Sequence, residues 1–288
     1  IPFRYIDHVF LDVTLNDRLD AVLLYDPVQG VMLDERFARR AGLRAYGGEE
    51  VGYGGPVYVG GAGEAEHVVT FVRDLRLQSG AADGTLDRAF PLSPVIPLDS
   101  MMAVAIGRRV DGLFGIDILA DHVLEFDFER ERLVLHDSAR FMPPDGAIAI
   151  PITPIGRAGK PSIPVTVHLG SGESLQGQFV LDFGMGGALR LTTGFTEKHG
   201  VIDRVTPTLA SGSETGLGGA LQSQIGRVPA VSLGSVRVEA PVLSMAQETE
   251  GADAYPDHDG LIGLGLLDRY RVFYDAPGAR LWLLATER

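Results

Sequence analysis

Residues 111–135 read DGLFGIDILADHVLEFDFERERLVL, and residues 259–283 read DGLIGLGLLDRYRVFYDAPGARLWL. The two segments align without a gap at an offset of 148. Asp-Gly-Leu coincides, as do Gly115 with Gly263, Leu119 with Leu267, Asp127 with Asp275, Arg132 with Arg280 and Leu133 with Leu281. A match of this length marks an internal duplication, and a repeat decides the fold before any single element does.

Two further pairs follow in the same order. Gly52-Tyr53-Gly54-Gly55 matches Gly216-Leu217-Gly218-Gly219, and AVLLYDPVQGVMLDERFARRAGL (21–43) is similar to QFVLDFGMGGALRLTTGFTEKHGV (178–201). Each half therefore reads as strand, short Gly-containing turn, brief helix, Gly-rich hairpin, further strands and the Asp-Gly-Leu block. The helices are expected over Asp34–Ala41 and Thr193–His199, each stopped by a glycine. Val57–Val59, Val68–Leu77, Val228–Val238 and Leu281–Leu284 have the alternating or β-branched pattern of strands. Met142–Pro164 is Pro-rich, and its apolar run Ala147–Ile152 reads as a shared strand between the halves.

Bulk composition narrows the function classes. The 288 residues include 37 Gly and 17 Pro, which favours many short strands joined by turns. The net charge of −13 repels phosphate backbones and anionic membranes, so nucleic acid is not an expected partner. No apolar run approaches the roughly 18 residues that a membrane span needs, and a soluble protein is expected. The absence of cysteine excludes disulfides, thiolate metal sites and a cysteine nucleophile. The 7 His residues lack metal-ligand spacing, so no metal site is expected. Gly60-Gly61-Ala62-Gly63 lacks the strand–helix context of a nucleotide loop. The chain begins at Ile1 rather than Met, as a processed or trimmed N-terminus would; if a signal peptide was removed, the location would be periplasmic or secreted.

A strand ending in Asp, a Gly turn and a later apolar-apolar-Gly segment, all duplicated, resembles the pepsin-type bilobal aspartic proteases. The block Gly260-Leu261-Ile262-Gly263, with Leu266-Leu267-Asp268-Arg269-Tyr270 and Phe273-Tyr274-Asp275, looks especially like that family. The first half is closer to bacterial retropepsin-like sequences. The resemblance covers nearly the whole chain. It implies an all-β fold of two homologous lobes, residues 1–142 and 143–288, related by a pseudo-two-fold axis with a cleft between them. It also implies an active site without metal or cofactor. Two carboxylates, one from each lobe, hold one water, and like charges that close keep one proton between them. The ionised carboxylate takes the water's proton while the protonated one polarises the scissile carbonyl.

The second half supplies Asp182-Phe183-Gly184. Asp182 is the expected acid. Gly184 lets a backbone N–H approach the carboxylate, and Phe183 stands where the family has Thr or Ser. In the first half two registers stay open. Counted without gaps from Leu23-Leu24 and from Leu33-Asp34 to Phe37, the acid position falls on Tyr25, whose phenol is no base at mild pH. One residue on it falls on Asp26, followed by Pro27 and Val28, which resist the usual turn. Tyr25, Tyr53 and Gly184 are expected substrate contacts, Tyr53 from a mobile flap hairpin over the cleft. The perfectly repeated Asp111 and Asp259 are expected to be structural turn residues.

The expected function is an aspartic-peptidase-like protein that binds an extended peptide in the cleft, with hydrolysis through an unorthodox Asp26/Asp182 pair. The alternative is a catalytically inactive pseudoprotease that binds a peptide or protein in the same cleft. A purely structural or assembly role is a third reading. The irregular first turn predicts weak or absent hydrolysis of general protein substrates.

Overall fold

Residues 1–26, 30–59, 66–79, 86–98, 106–115, 119–156, 159–205, 207–216, 219–249, 254 and 256–286 are described by the computed structural model, with backbone alone for 207–216 and 219–221. The chain is predominantly β. It divides into two compact units: Ile1–Ile118 with Thr215–Ala220, and Leu119–Glu214 with Leu221–Arg288. Among the described residues no helix is long and apolar enough to cross a membrane.

The first unit holds β1 (Arg4–Tyr5), β2 (Val9–Leu15), β3 (Leu19–Asp26), β4 (Val31–Asp34), β5 (Val57–Val59), β6 (His67–Ser79), β7 (Leu86–Ile96) and β8 (Gly112–Gly115). They form one sheet in the order β1-β2-β3-β8-β4-β7-β6-β5. The second unit opens with β9 (His122–Asp127), β10 (Arg132–Asp137), β11 (Ile148–Pro151), β12 (Thr153–Ile155), β13 (Lys160–His168), β14 (Ser174–Leu181) and β15 (Leu189–Leu191). It continues with β16 (Pro207–Gly216) and β17 (Gly219–Arg227), whose ends within Thr215–Ala220 count with the first unit, and with β18 (Ala230–Leu233), β19 (Val236–Glu239), β20 (Val242–Ala246), β21 (Gly260–Ile262), β22 (Tyr270–Asp275) and β23 (Arg280–Ala285). Its larger sheet runs β16-β17-β20-β15-β21-β14-β13-β18-β19, and a five-stranded sheet runs β10-β9-β22-β23-β11.

The duplication is therefore architectural. Read from β2, the first sheet runs β2-β3-β8-β4-β7-β6-β5, and the second repeats it as β13-β14-β21-β15-β20-β17-β16. Strand directions match as well. β3 is parallel to β8 as β14 is to β21, and β4 antiparallel to β8 as β15 is to β21. β4 is parallel to β7 as β15 is to β20.

The Asp-Gly-Leu block explains itself in this setting. The Asp111 carboxylate accepts from Val22 N at 3.0 Å, and the Asp259 carboxylate from Gln178 N at 2.8 Å. Both are backbone clips, which accords with the structural role expected of them. The glycines that follow have no room for a side chain. A Cβ on Gly112 would stand 2.4 Å from the Met32 carbonyl oxygen, and one on Gly260 2.3 Å from that of Arg190.

The short helices form because each has a cap. α1 (Glu35–Arg40) is capped by Asp34, whose side chain accepts from Arg36 N and Phe37 N, and α2 (Thr193–His199) by Thr192, which accepts from Phe195 N. Gly42 and Gly200 follow in the left-handed conformation, at φ 68° and 55°. Val228–Val238 is two short strands, β18 and β19, turned at Gly234 with φ 59°.

The expected division at 142/143 is displaced to 118/119. The reason is the five-stranded sheet. The hairpin β9–β10 lies in the first half of the sequence but hydrogen-bonds to β22 of the second. Asp127 opposes Arg132 in β9–β10 as Asp275 opposes Arg280 in β22–β23, so both hairpins share one register. Where they meet, Glu125 faces Phe273, its counterpart in the repeat, so a local two-fold relates the hairpins. Ile148–Pro151 pairs with β23, as the apolar run suggested.

Candidate active site

The ladders decide which first-half residue is the counterpart of Asp182. Leu23 pairs with Gly112, and Phe179 with Gly260, so these positions are equivalent. Counting on, Tyr25 corresponds to Leu181 and Asp26 to Asp182. Asp26 pairs with Gly115, and Asp182 continues its own ladder by donating N–H to the Ile262 carbonyl at 2.9 Å. The return strands shift the count: Val31 opposes Phe114 and Leu189 opposes Ile262, so the first turn is two residues shorter. A gapless alignment splits that difference and lands on Tyr25. That reading is corrected, because the length change falls inside the turn itself.

Tyr25 is fully buried, with its ring against Phe114 at 5.9 Å between centroids. Successive strand residues face opposite sides, so Tyr25 points away from the side that carries Leu24 and Asp26. It is a core residue rather than an exposed substrate contact. Asp26 is half-buried at the end of β3. Pro27 and Val28 lie outside the described residues.

The Asp182 turn is held closely. Gly184 N donates to the Asp182 carboxylate at 2.9 Å, the contact anticipated for a glycine two residues on. Met185 N donates to the Asp182 carbonyl at 3.2 Å. Leu264 N then reaches the Met185 carbonyl at 2.8 Å, and Gly263 N the Ala188 carbonyl at 3.1 Å. Here too the glycine is required: a Cβ on Gly263 would lie 2.1 Å from the Gly187 carbonyl oxygen. The backbone of this turn is thus fixed by Ile262–Leu264.

Phe183 supplies an anchor for this turn. It is fully buried, stacked on Phe126 at 5.1 Å and edge-on to Tyr274 at 6.0 Å. Phe126 and Tyr274 are counterparts in the repeat, one from each hairpin of the five-stranded sheet. The turn is therefore docked by packing over the local two-fold. Aromatic pairs of this kind add about 0.5–1.5 kcal/mol beyond their buried area.

Burial pushes the Tyr274 phenol up to about 12. An unfolded tyrosine ionises near 10, so the folded state holds this proton more tightly. The associated stability is complete below about pH 10 and is lost as pH rises toward 12, on the order of 3 kcal/mol in all. Urea unfolding between about pH 9 and 12 should show that loss, and Tyr274→Phe should remove this component. On the other face of the sheet, Glu125 meets His136 Nε2 at 2.7 Å and also Arg271. Burial alone would raise the Asp127 carboxyl, but Arg130 and Arg271 outweigh it and hold it below the usual range.

Tyr53 is placed differently from expectation. It follows the 3₁₀ turn Glu49–Val51, is 59% exposed and stacks on Phe71 at 5.2 Å. The hairpin proper is β5–β6, which begins four residues later. In the second half of the sequence β16 and β17 pair at the corresponding place in their sheet. Val69 is equivalent to Ser223, so the match to Gly216–Gly219 falls near residues 62–65, not 52–55. Those residues and Leu217 lie outside the described set.

One feature went unread in the sequence. Arg190 and Glu248 form a buried pair, with the guanidinium 2.9 and 3.0 Å from the two carboxylate oxygens and side chains only 4% and 6% exposed. The signal was available once the halves were aligned through the two-residue difference, because Arg190 then falls opposite Met32. A depression of about 450 Å³ in the first unit, lined by Asp12, Thr14, Asp20 and Asp111, does not include Asp26. Among the described residues no three His, Asp or Glu side chains are grouped to hold a metal ion. No protein-family model matches the chain, and no curated protein is similar to it at a significant level.

Proposed function

We propose that the chain is an aspartic-peptidase-like protein of the bilobal pepsin type, which binds an extended peptide and uses Asp26 and Asp182 as its acid pair. The observation that carries this reading is the duplicated ladder register: an aspartate stands at the same position in each half, as the last residue of β3 and as the first residue after β14, alongside the strand of the Asp-Gly-Leu block. Chemically the pair would share one proton. The ionised carboxylate takes a proton from a bound water, whose oxygen attacks the peptide carbonyl, and the protonated one donates to the carbonyl oxygen. A peptide in extended form would offer its backbone to a neighbouring strand and its alternate side chains to pockets.

A second reading, a silent peptide-binding protein, is favoured by one observation. The hydroxyl that joins the two turns in the family is replaced by Phe183, which is buried and makes no such bond. The test is a random peptide library incubated with the intact chain between about pH 3 and 7, with products and retained peptides both identified by mass spectrometry. Slow internal cleavage of a few of the peptides is the expected result. Retention without cleavage would establish the silent reading, and neither would overturn both.

A further inference from the structure

The two halves share a frame but not a core. In the first unit Phe10, Leu24, Met32, Val69, Phe71, Ile96, Leu98, Val110 and Leu113 form one buried hydrophobic cluster. The duplicated ladders give the counterpart of each. Leu24 becomes Val180 and Leu113 becomes Leu261. Phe71 becomes Ile225 and Ile96 becomes Ala246. The other positions turn polar. Phe10 becomes Ser162 and Met32 becomes Arg190. Val69 becomes Ser223 and, counting on from β7 and β20, Leu98 becomes Glu248. Val110, next to Asp111, becomes His258, next to Asp259. All five are buried, and the Ser223 hydroxyl, only 1% exposed, has no hydrogen-bond partner among the described residues.

A polar cluster in this position is not a demand of the fold. The first unit closes the same site with Met, Leu and Val, and replacing a buried ion pair by apolar residues is commonly neutral or stabilising. The cluster also lies on a telling face. Val180, Leu261 and Arg190 sit side by side across β14, β21 and β15. Asp182 is two residues beyond Val180, hence on the same face and about 7 Å along it. Side chains of an extended peptide repeat on one side at that same spacing.

Resting on the peptidase-like reading above, we propose that Arg190, Glu248, His258 and Ser223 form a specificity pocket for a neutral hydrogen-bonding side chain, an amide such as Asn or Gln, one or two residues from the scissile bond on the Asp182 side. The charge balance selects the class. Arg190 is committed to Glu248 through two bonds, so neither charge of the pair is left over for a charged side chain. An aliphatic one would leave Ser223 and the pair without added bonds. A carboxamide both donates and accepts, and can serve all of them.

The experiment uses the intact chain and a library of eight-residue peptides varied at those positions, read by both cleavage and retention. Asn or Gln should be preferred over Leu by at least about tenfold, the effect of one or two hydrogen bonds. The triple variant Arg190→Met, Glu248→Leu, His258→Val installs the first unit's residues and should reverse the preference toward Leu. Ser223→Val, which disturbs no charge, should lower the Asn/Leu ratio severalfold even if the triple variant does not fold. An unchanged ratio in a folded variant, or a wild-type preference for Leu, overturns the pocket and leaves the peptidase-like reading intact. Failure of the wild type to bind or cleave any peptide overturns both.

Discussion

Asp182→Asn should lower turnover of a cleavable peptide by roughly 10³–10⁴-fold, and Asp26→Asn by a similar factor, because groups that act as a unit lose most of their effect when either is removed. For the same reason the double variant should be scarcely slower than either single one. Binding should respond far less, since Asn keeps the shape of each side chain; a large loss of kcat with little change in KM is the expected signature. The two substitutions also differ locally. Asp182 accepts the Gly184 N–H, a bond that the Asn side-chain oxygen can keep, so this turn should hold its form. Loss with Asp182→Asn but not with Asp26→Asn would mean that another group of the first unit supplies the second acid. Cleavage indifferent to both would place the chemistry elsewhere.

Much of this arrangement was legible in the sequence, and the failures have physical causes. The repeat disclosed both Asp-Gly-Leu blocks because their glycines cannot vary: the Met32 and Arg190 carbonyls occupy the space a side chain would need. The helix caps Asp34 and Thr192 were readable for a similar reason, since unsatisfied N–H groups call for an oxygen at that place. The first-half counterpart of Asp182 was left between Tyr25 and Asp26 because a turn can change length without disturbing the strands that bracket it. Only the hydrogen-bonded register removes that ambiguity. The hairpin was misjudged by its composition, as Gly52–Gly55 is glycine-rich but forms the approach to β5 rather than its tip. The division between units was misplaced because β9 leaves its own half to pair with β22, a long-range choice that local patterns do not record. The polar cluster was invisible until the halves were aligned through the structure, since one Arg in Ala188-Leu189-Arg190-Leu191 reads as an ordinary strand residue.

That cluster carries the largest stability effect expected of a single side chain here. Arg190→Met should destabilise the second unit by about 3–5 kcal/mol, because it leaves the Glu248 carboxylate buried without its partner. Glu248→Leu should cost a similar amount by stranding the guanidinium. The double variant Arg190→Met, Glu248→Leu removes both charges and reproduces the side chains found at positions 32 and 98, where they pack in a closed apolar cluster. It should recover most of the loss and return to within about 1 kcal/mol of the starting stability. Urea midpoints for the four proteins complete the cycle and give a coupling energy well above the few tenths of a kcal/mol that separate independent sites. Recovery in the double variant would mean that the second half keeps an ion pair its frame does not require, which is what a site retained for binding predicts. A double variant as unstable as either single one would mean that the pair is needed to shape this unit. The comparison between the halves would then lose its force, because the same strands would demand different interiors.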